Sequence, residues 1–241
     1  MAQAQTGKPR GRWRTFHEKF VVEERYMSVA ARRNLYRTAV VLMITGAVLF
    51  VVILTGVLQH GGISAADEPV RTWLLTLRAE PTTIIMIILA IIFGPIGLPI
   101  IVLIVTVAWG LLAKHAWRPM LLAGAMLTGV ILAQVIGRIV ERHRPPIDLM
   151  LFGADSTFSF PSGHVLGACD FLLVTTYLVF SRRKNPVSAV IAFIVAGVGI
   201  FFAAVSRLYL GYHWMTDALG AFSISLVILG GVIALDTWRT A

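Results

Sequence analysis

SRLYLGYHWMTD, residues 206–217, lies between two long apolar runs, residues 186–206 and 218–235, and carries an arginine, a histidine and an aspartate. Apolar runs of that length on either side of a polar turn are helices that cross a bilayer, which sets the fold class. His213 and Asp217 are four residues apart, so on a helix they share one face and the carboxylate can hold the imidazole. Arg207, six residues before the histidine, offers a planar fork suited to phosphate. A histidine backed by a carboxylate and facing an arginine is what covalent attack on phosphorus requires. The plainer alternative is a polar turn between two membrane helices whose charges pair. The rest of the chain bears on that choice.

The 241 residues are 57% hydrophobic and 14% charged, with mean hydropathy +0.81. Such a chain is too apolar for a soluble domain and reads as an all-α integral membrane protein. Its net charge of +9 and pI near 10.4 invite a nucleic-acid reading, but the basic residues flank apolar spans instead of forming a face, so no nucleic-acid partner is expected. The single cysteine, Cys169, lies inside an apolar run and excludes an intramolecular disulfide. There is no internal repeat and no signal for oligomeric state.

Six spans are expected within a domain covering residues 39–236. Residues 39–58 are uncharged and long enough to cross about 30 Å of hydrocarbon. Residues 59–80 hold Asp67, Glu68, Arg71, Arg78 and Glu80 among Trp73 and leucines, which predicts a short interfacial helix starting near Asp67 with Pro69 in its first turn. Residues 81–113 are also uncharged, too long for one straight crossing, and GPIGLP at 94–99 predicts a kink or break in one long span. Spans three to six are read at 119–137, 165–180, 186–206 and 218–235. Asp170, about two turns into the fourth, is expected to pair with a structural partner such as an arginine. Trp109, Trp117, Trp214 and Trp238 fall near span ends, where interfacial anchoring is expected.

Residues 1–38 form a basic tail with nine Lys/Arg against three Glu, and residues 237–241 a short second tail. The first dozen residues read as disordered. From about residue 18 to 37 the apolar spacing permits an amphipathic surface helix, although a solvated tail that fixes topology is the simpler reading. Six spans put both termini on one side, together with 15 of the 21 Lys/Arg. The positive-inside rule makes that side cytoplasmic, so the loops 138–164 and 206–217 are expected on the extracytoplasmic face.

In the first of these loops Arg142, His143 and Arg144 precede Pro145 and Pro146, where the third helix must stop. Clustered cations beside an apolar surface suggest an anionic ligand, with ordinary headgroup contact as the alternative for Arg138 and Arg142. Pro161, Ser162, Gly163 and His164 open the fourth helix, whose first N–H groups form an anion cradle at the positive end of its dipole. His164 then stands where a protonated imidazole can donate to a leaving oxygen.

These residues resemble the signatures of the type-2 phosphatidic acid phosphatase superfamily. The third signature, S-R-x5-H-x3-D, is matched in full by Ser206, Arg207, His213 and Asp217, and the second, P-S-G-H, by Pro161 to His164. The first, K-x6-R-P, is matched at its end by Arg144 and Pro145, but Gly137 stands where its lysine belongs. The resemblance spans roughly residues 39–236. It implies that His213 is a nucleophile forming a phosphohistidine, oriented by Asp217, and that His164 is the acid for the leaving group and the base for water. It implies that Arg144, Arg207, Ser162 and Gly163 bind the phosphate, without metal or other cofactor. Arg138 and Arg142 are candidates to replace the lysine, although Arg138 lies about 100° around the helix from position 137.

The expected function is therefore hydrolysis of a lipid phosphate or diphosphate, undecaprenyl diphosphate first, phosphatidate or phosphatidylglycerophosphate next, with phosphotransfer to another lipid as a variant. The soluble haloperoxidases that share these signatures are disfavoured by the six spans. A transporter would line a path through the bilayer with ionisable residues, whereas here Asp170 alone lies deep. A catalytically silent lipid-binding protein is the remaining alternative, and Gly137 is the residue that favours it.

Overall fold

A computed structural model describes residues 27–113, 116–181 and 185–239. Helix α1 (Val29–Gln59) is followed by a 3-10 turn (Gly62–Ala66), and α2 (Asp67–Thr76) is the short interfacial helix. Helices α3 (Glu80–Ile92) and α4 (Gly97–Ala113) are the two halves of the long apolar run, bent by 51° at the Gly/Pro break. Then come α5 (Trp117–Val140), a second 3-10 turn (Ile147–Leu149), α6 (Gly163–Phe180), α7 (Pro186–Tyr209) and α8 (Met215–Arg239). Among the described residues five helices are each long and apolar enough to span a membrane, and the bent α3–α4 pair makes a sixth span.

Helix α8 is the centre of the bundle. Ala221, Ile224, Ile228, Leu229 and Ile233 are buried along it, against Val165, Leu166, Cys169 and Val174 of α6 and Leu121, Leu122 and Ala125 of α5. Helix α1 lies along α8 at backbone contact: a Cβ on Gly46 would sit 2.5 Å from the Ser223 carbonyl, so only glycine permits this crossing.

Three expectations change. Helix α1 starts at Val29, capped by the Ser28 hydroxyl, ten residues before the charge-free run. Arg32, Arg33 and Arg37 therefore belong to the first span's opening turns, where long side chains keep their charge at the surface. The rest of the expected surface helix, residues 18–26, and the first dozen residues lie outside the described part of the chain. Among the described residues Asp170 has no arginine beside it; its carboxylate packs on Gly129 of α5 and lies within reach of the Ser225 hydroxyl of α8. Of the expected tryptophan anchors, Trp117 is buried and donates to Asp236 (3.2 Å), while Trp214 donates to the His143 carbonyl (3.0 Å). Their indole N–H groups are held by protein acceptors.

Candidate active site

The two polar loops meet at one end of the bundle. Helix α5 stops at Val140 with Glu141 left-handed (φ 50°), four residues ahead of Pro145. The loop that follows crosses to α6, whose N-cap is Ser162. Between α7 and α8 the chain turns through Gly211 (φ 85°), where a Cβ would strike the Leu149 carbonyl at 2.5 Å. Arg78 fastens these turns together, donating to the carbonyls of Leu149 (2.8 Å) and Tyr209 (2.9 Å).

His213 lies in that turn, just ahead of α8, and is 3% exposed. Its Nδ1 is 2.9 Å from the Ser159 carbonyl and 3.3 Å from Asp217 Oδ2. Both are acceptors, so the ring proton belongs on Nδ1. Its Nε2 is 3.1 Å from Arg144 Nη1, an obligate donor, which leaves the Nε2 lone pair facing a cation. Burial pushes this imidazole down to about 4, Asp217 opposing and Arg144 and Arg207 reinforcing the shift, so it is neutral at pH 7. The four-residue spacing works differently from a helical pair. Asp217 is in the first turn of α8 and also accepts the Trp214 N–H (2.9 Å), capping the helix start.

Arg144 is clamped by its own loop. It donates to the Tyr212 carbonyl (2.8 Å) and to the Thr157 carbonyl and hydroxyl (both 2.9 Å), and pairs with Asp155 (2.9 Å). Burial lowers its pKa, while Asp155, Asp217 and Tyr212 oppose, so it stays a cation. Burial works against ionisation of Asp155, but bonds from Thr157 and the charge of Arg144 outweigh it and hold the carboxyl below its usual range. Arg207 is buried over the Tyr212 ring (4.2 Å to the centroid), and its Nε has no hydrogen-bond partner among the described residues. His164, partly exposed at the start of α6, lies within electrostatic reach of Arg207, His213 and Arg144.

The signature residues thus come together, but two expectations are corrected. The Ser162 N–H donates to the Asp217 carbonyl (3.2 Å) and its hydroxyl caps Val165, so Gly163, exposed, and His164 supply the outward part of the cradle. Arg142 binds carboxylates, donating to Asp217 Oδ1 and Asp67 Oδ2 (both 2.6 Å), instead of replacing the lysine. Arg138 is exposed on the last turn of α5 and, among the described residues, has no hydrogen bond within the site. Ser159, Thr157, Asp155 and Asp67 were not foreseen; short polar residues in loops carry no spacing that singles them out.

Comparison with known proteins decides the family. The sequence profile of the PAP2 superfamily matches residues 118–241. The chain is 31% identical over 195 residues to phosphatidylglycerophosphatase B of Bacillus subtilis strain 168, covering 78% of this chain and 92% of that protein. The chain belongs to the PAP2 superfamily. Phosphatidylglycerophosphatase B of Escherichia coli K12 is 33% identical over 84 residues, covering 35% of this chain and 30% of that one. A crystal structure of a transmembrane PAP2-type phosphatidylglycerolphosphate phosphatase from Bacillus subtilis superposes with TM-score 0.70 at 26% identity, covering 80% and 96% of the two chains. With its apolar spans and its phosphatase relatives, this PAP2 protein is a membrane lipid phosphatase.

Proposed function

We propose that this enzyme hydrolyses a phosphatidylglycerophosphate-like lipid monoester through a phosphohistidine, without metal, on the extracytoplasmic face. The observation that carries the mechanism is His213: its Nδ1–H is given to Ser159 and Asp217, and its Nε2 lone pair is free of a proton beside Arg144. Nε2 attacks phosphorus, the P–O bond to the lipid breaks, and His164, which carries a proton once the bound phosphate dianion offsets the charges of Arg144 and Arg207 around it, gives that proton to the departing alkoxide. The neutral His164 then takes a proton from water, whose oxygen attacks the phosphohistidine and releases inorganic phosphate and neutral His213. Arg144, Arg207 and the first turn of α6 (Gly163, with Ser162 as its cap) hold the phosphoryl oxygens and stabilise their growing charge. A buried guanidinium with an unsatisfied Nε, as in Arg207, supports an anion as its missing partner.

The named substrates of the relatives favour phosphatidylglycerophosphate over undecaprenyl diphosphate, which an outward-facing site alone suggested. The skew of Lys/Arg toward the side of the termini supports the orientation, with the basic residues before and within the opening turns of α1, and Arg239 at the end of α8, on the cytoplasmic side. The test is phosphate release in detergent with EDTA from phosphatidylglycerophosphate, phosphatidate and undecaprenyl diphosphate, together with acid-labile phosphoprotein trapped during turnover. The parent is expected to turn over the first most efficiently and to trap phosphate, and His213→Ala to do neither. Turnover by His213→Ala at the parent's rate removes the mechanism, and loss of activity in EDTA removes metal independence.

A further inference from the structure

Behind the nucleophile stands a second ion-pair layer, reaching across 75 residues of sequence to the interfacial helix. Asp67, the first residue of α2, is 4% exposed; Thr216 and Asp217, in the first turn of α8, are fully buried. Arg142 joins them. Its Nη1 donates to Asp217 Oδ1 (2.6 Å) and to the Thr216 hydroxyl (2.7 Å), and its Nη2 to Asp67 Oδ2 (2.6 Å). Asp67 closes the ring by accepting the Thr216 N–H (2.9 Å) and hydroxyl (2.6 Å). The Arg142 guanidinium also lies 5.6 Å from the centre of the Trp214 ring.

One cation therefore sits between two carboxylates, and one of those carboxylates faces the imidazole. Asp217 on its own favours the imidazolium form of His213, which has no lone pair to attack with. A full positive charge on the opposite oxygen of Asp217 offsets that pull, and Asp67 limits the offset by sharing the charge. We propose that Arg142 and Asp67 are positioning residues that fix the Asp217 carboxylate and set how strongly it attracts a proton to His213. This rests on His213 being the nucleophile. The other charged groups facing His213 are Arg144 and Asp155 from the preceding loop, Arg207 from α7 and His164 from α6. They are common to every variant below, as is the ionisation of the substrate. Asp67 lies outside the matched superfamily segment, residues 118–241, so this support comes from a part of the chain that the family profile does not cover.

The experiment is the pH profile of kcat/KM, with kcat and KM separated, for Arg142→Gln, Arg142→Lys and Asp67→Asn in detergent. In Arg142→Gln the charge opposing Asp217 is gone, so the acid limb is expected to move up by about one pH unit. Its kcat should fall about tenfold or more with KM nearly unchanged, because Arg142 does not touch the phosphate. Arg142→Lys keeps the charge and is expected to hold the acid limb near that of the parent. In Asp67→Asn the cation answers to Asp217 alone, and the limb is expected to stay or move down, never up. An unmoved limb in an active Arg142→Gln, a rise in KM as its main effect, or equal upward shifts in the Asp67 and Arg142 variants overturns the proposal. If Arg142→Gln does not fold, the lysine and Asp67 variants still decide: an upward shift in either is the overturning result. Full activity of His213→Ala instead overturns the nucleophile assignment itself, which separates the two failures.

Discussion

At one end of the α5–α8 pair, Arg142 reaches Asp217 in the first turn of α8; at the other, Arg118 in the first turn of α5 reaches Asp236 in the last turn of α8 (3.5 Å). Arg118 and both carboxylates are buried, Arg142 is partly so, and each pair has a tryptophan beside it. At the Asp236 end the neighbours are the Trp117 indole N–H (3.2 Å), the Tyr177 hydroxyl (3.2 Å), the Ser181 hydroxyl and the Leu178 carbonyl. None of these is a nucleophile at neutral pH, and among the described residues the pair ties helices together. At the Asp217 end the second carboxylate oxygen is aimed at an imidazole whose far nitrogen meets Arg144, proposed above to bind phosphate. The same ion pair becomes chemistry when one of its lone pairs is directed at a titratable ring.

The comparison predicts a clean exchange of phenotypes. Asp217→Asn is expected to lower kcat by about a hundredfold or more, because the imidazole loses the charge that stabilises its cationic states in the reaction. Some activity should survive, since the Ser159 carbonyl still holds Nδ1–H. Asp236→Ala is expected to leave kcat per folded molecule unchanged and to cost about 3–5 kcal/mol of stability, as loss of one member of a buried ion pair typically does. Turnover and thermal unfolding in the same detergent read both. Equal losses of kcat in the two variants would erase the distinction between the ends.

A weaker effect at the Asp217 end depends on pH. His213 titrates near 4 when folded against an ordinary 6.5, so between those values the unfolded chain binds more protons. Its contribution to stability is complete above about 6.5 and is lost progressively as pH falls toward 4. His213→Ala should flatten this part of the stability profile. Unfolding midpoints between pH 4 and 7 give the answer, and an unchanged slope in His213→Ala counts against a buried neutral imidazole.

How far these arrangements were legible in the sequence follows from the range of each interaction. The spans show because bilayer helices need long uncharged runs, and the bend shows because glycine and proline at 94–97 break the hydrogen-bond ladder. His213, Asp217, Arg207, Arg144 and the Pro161–His164 turn are spaced as local motifs and were readable as such. Arg142 was misjudged because a guanidinium serves a phosphate or a carboxylate equally well, and its partner Asp67 is 75 residues away. The Ser159 carbonyl is backbone and leaves no mark in the sequence. Asp170 was expected to have a structural partner such as an arginine; it faces Gly129 and Ser225 of neighbouring helices, contacts set by helix packing and invisible in spacing.

Gly137 gives the smallest expected effect and sharpens the comparison from the phosphate side. It is buried in the last turn of α5, and a Cβ there would lie 3.5 Å from the Phe160 carbonyl, an ordinary contact. The first atom of a side chain therefore fits beside the backbone that leads into Pro161–His164, where the family carries a lysine. Gly137→Lys is expected to raise kcat/KM a few fold and not more, because on the proposed reading Arg144, Arg207 and the α6 N-terminus already hold the phosphate. The gain should fall mainly on KM if the new ammonium reaches the ground-state phosphate, and on kcat if it meets charge that develops later. The acid limb should not rise, since an added cation near His213 disfavours its protonation, opposite to the shift expected for Arg142→Gln. Steady-state kinetics of the two variants across pH separate a cation that touches substrate from one that acts through Asp217. An unchanged rate in Gly137→Lys would mean that the two arginines and the helix terminus already provide the charge that the lysine supplies elsewhere in the family.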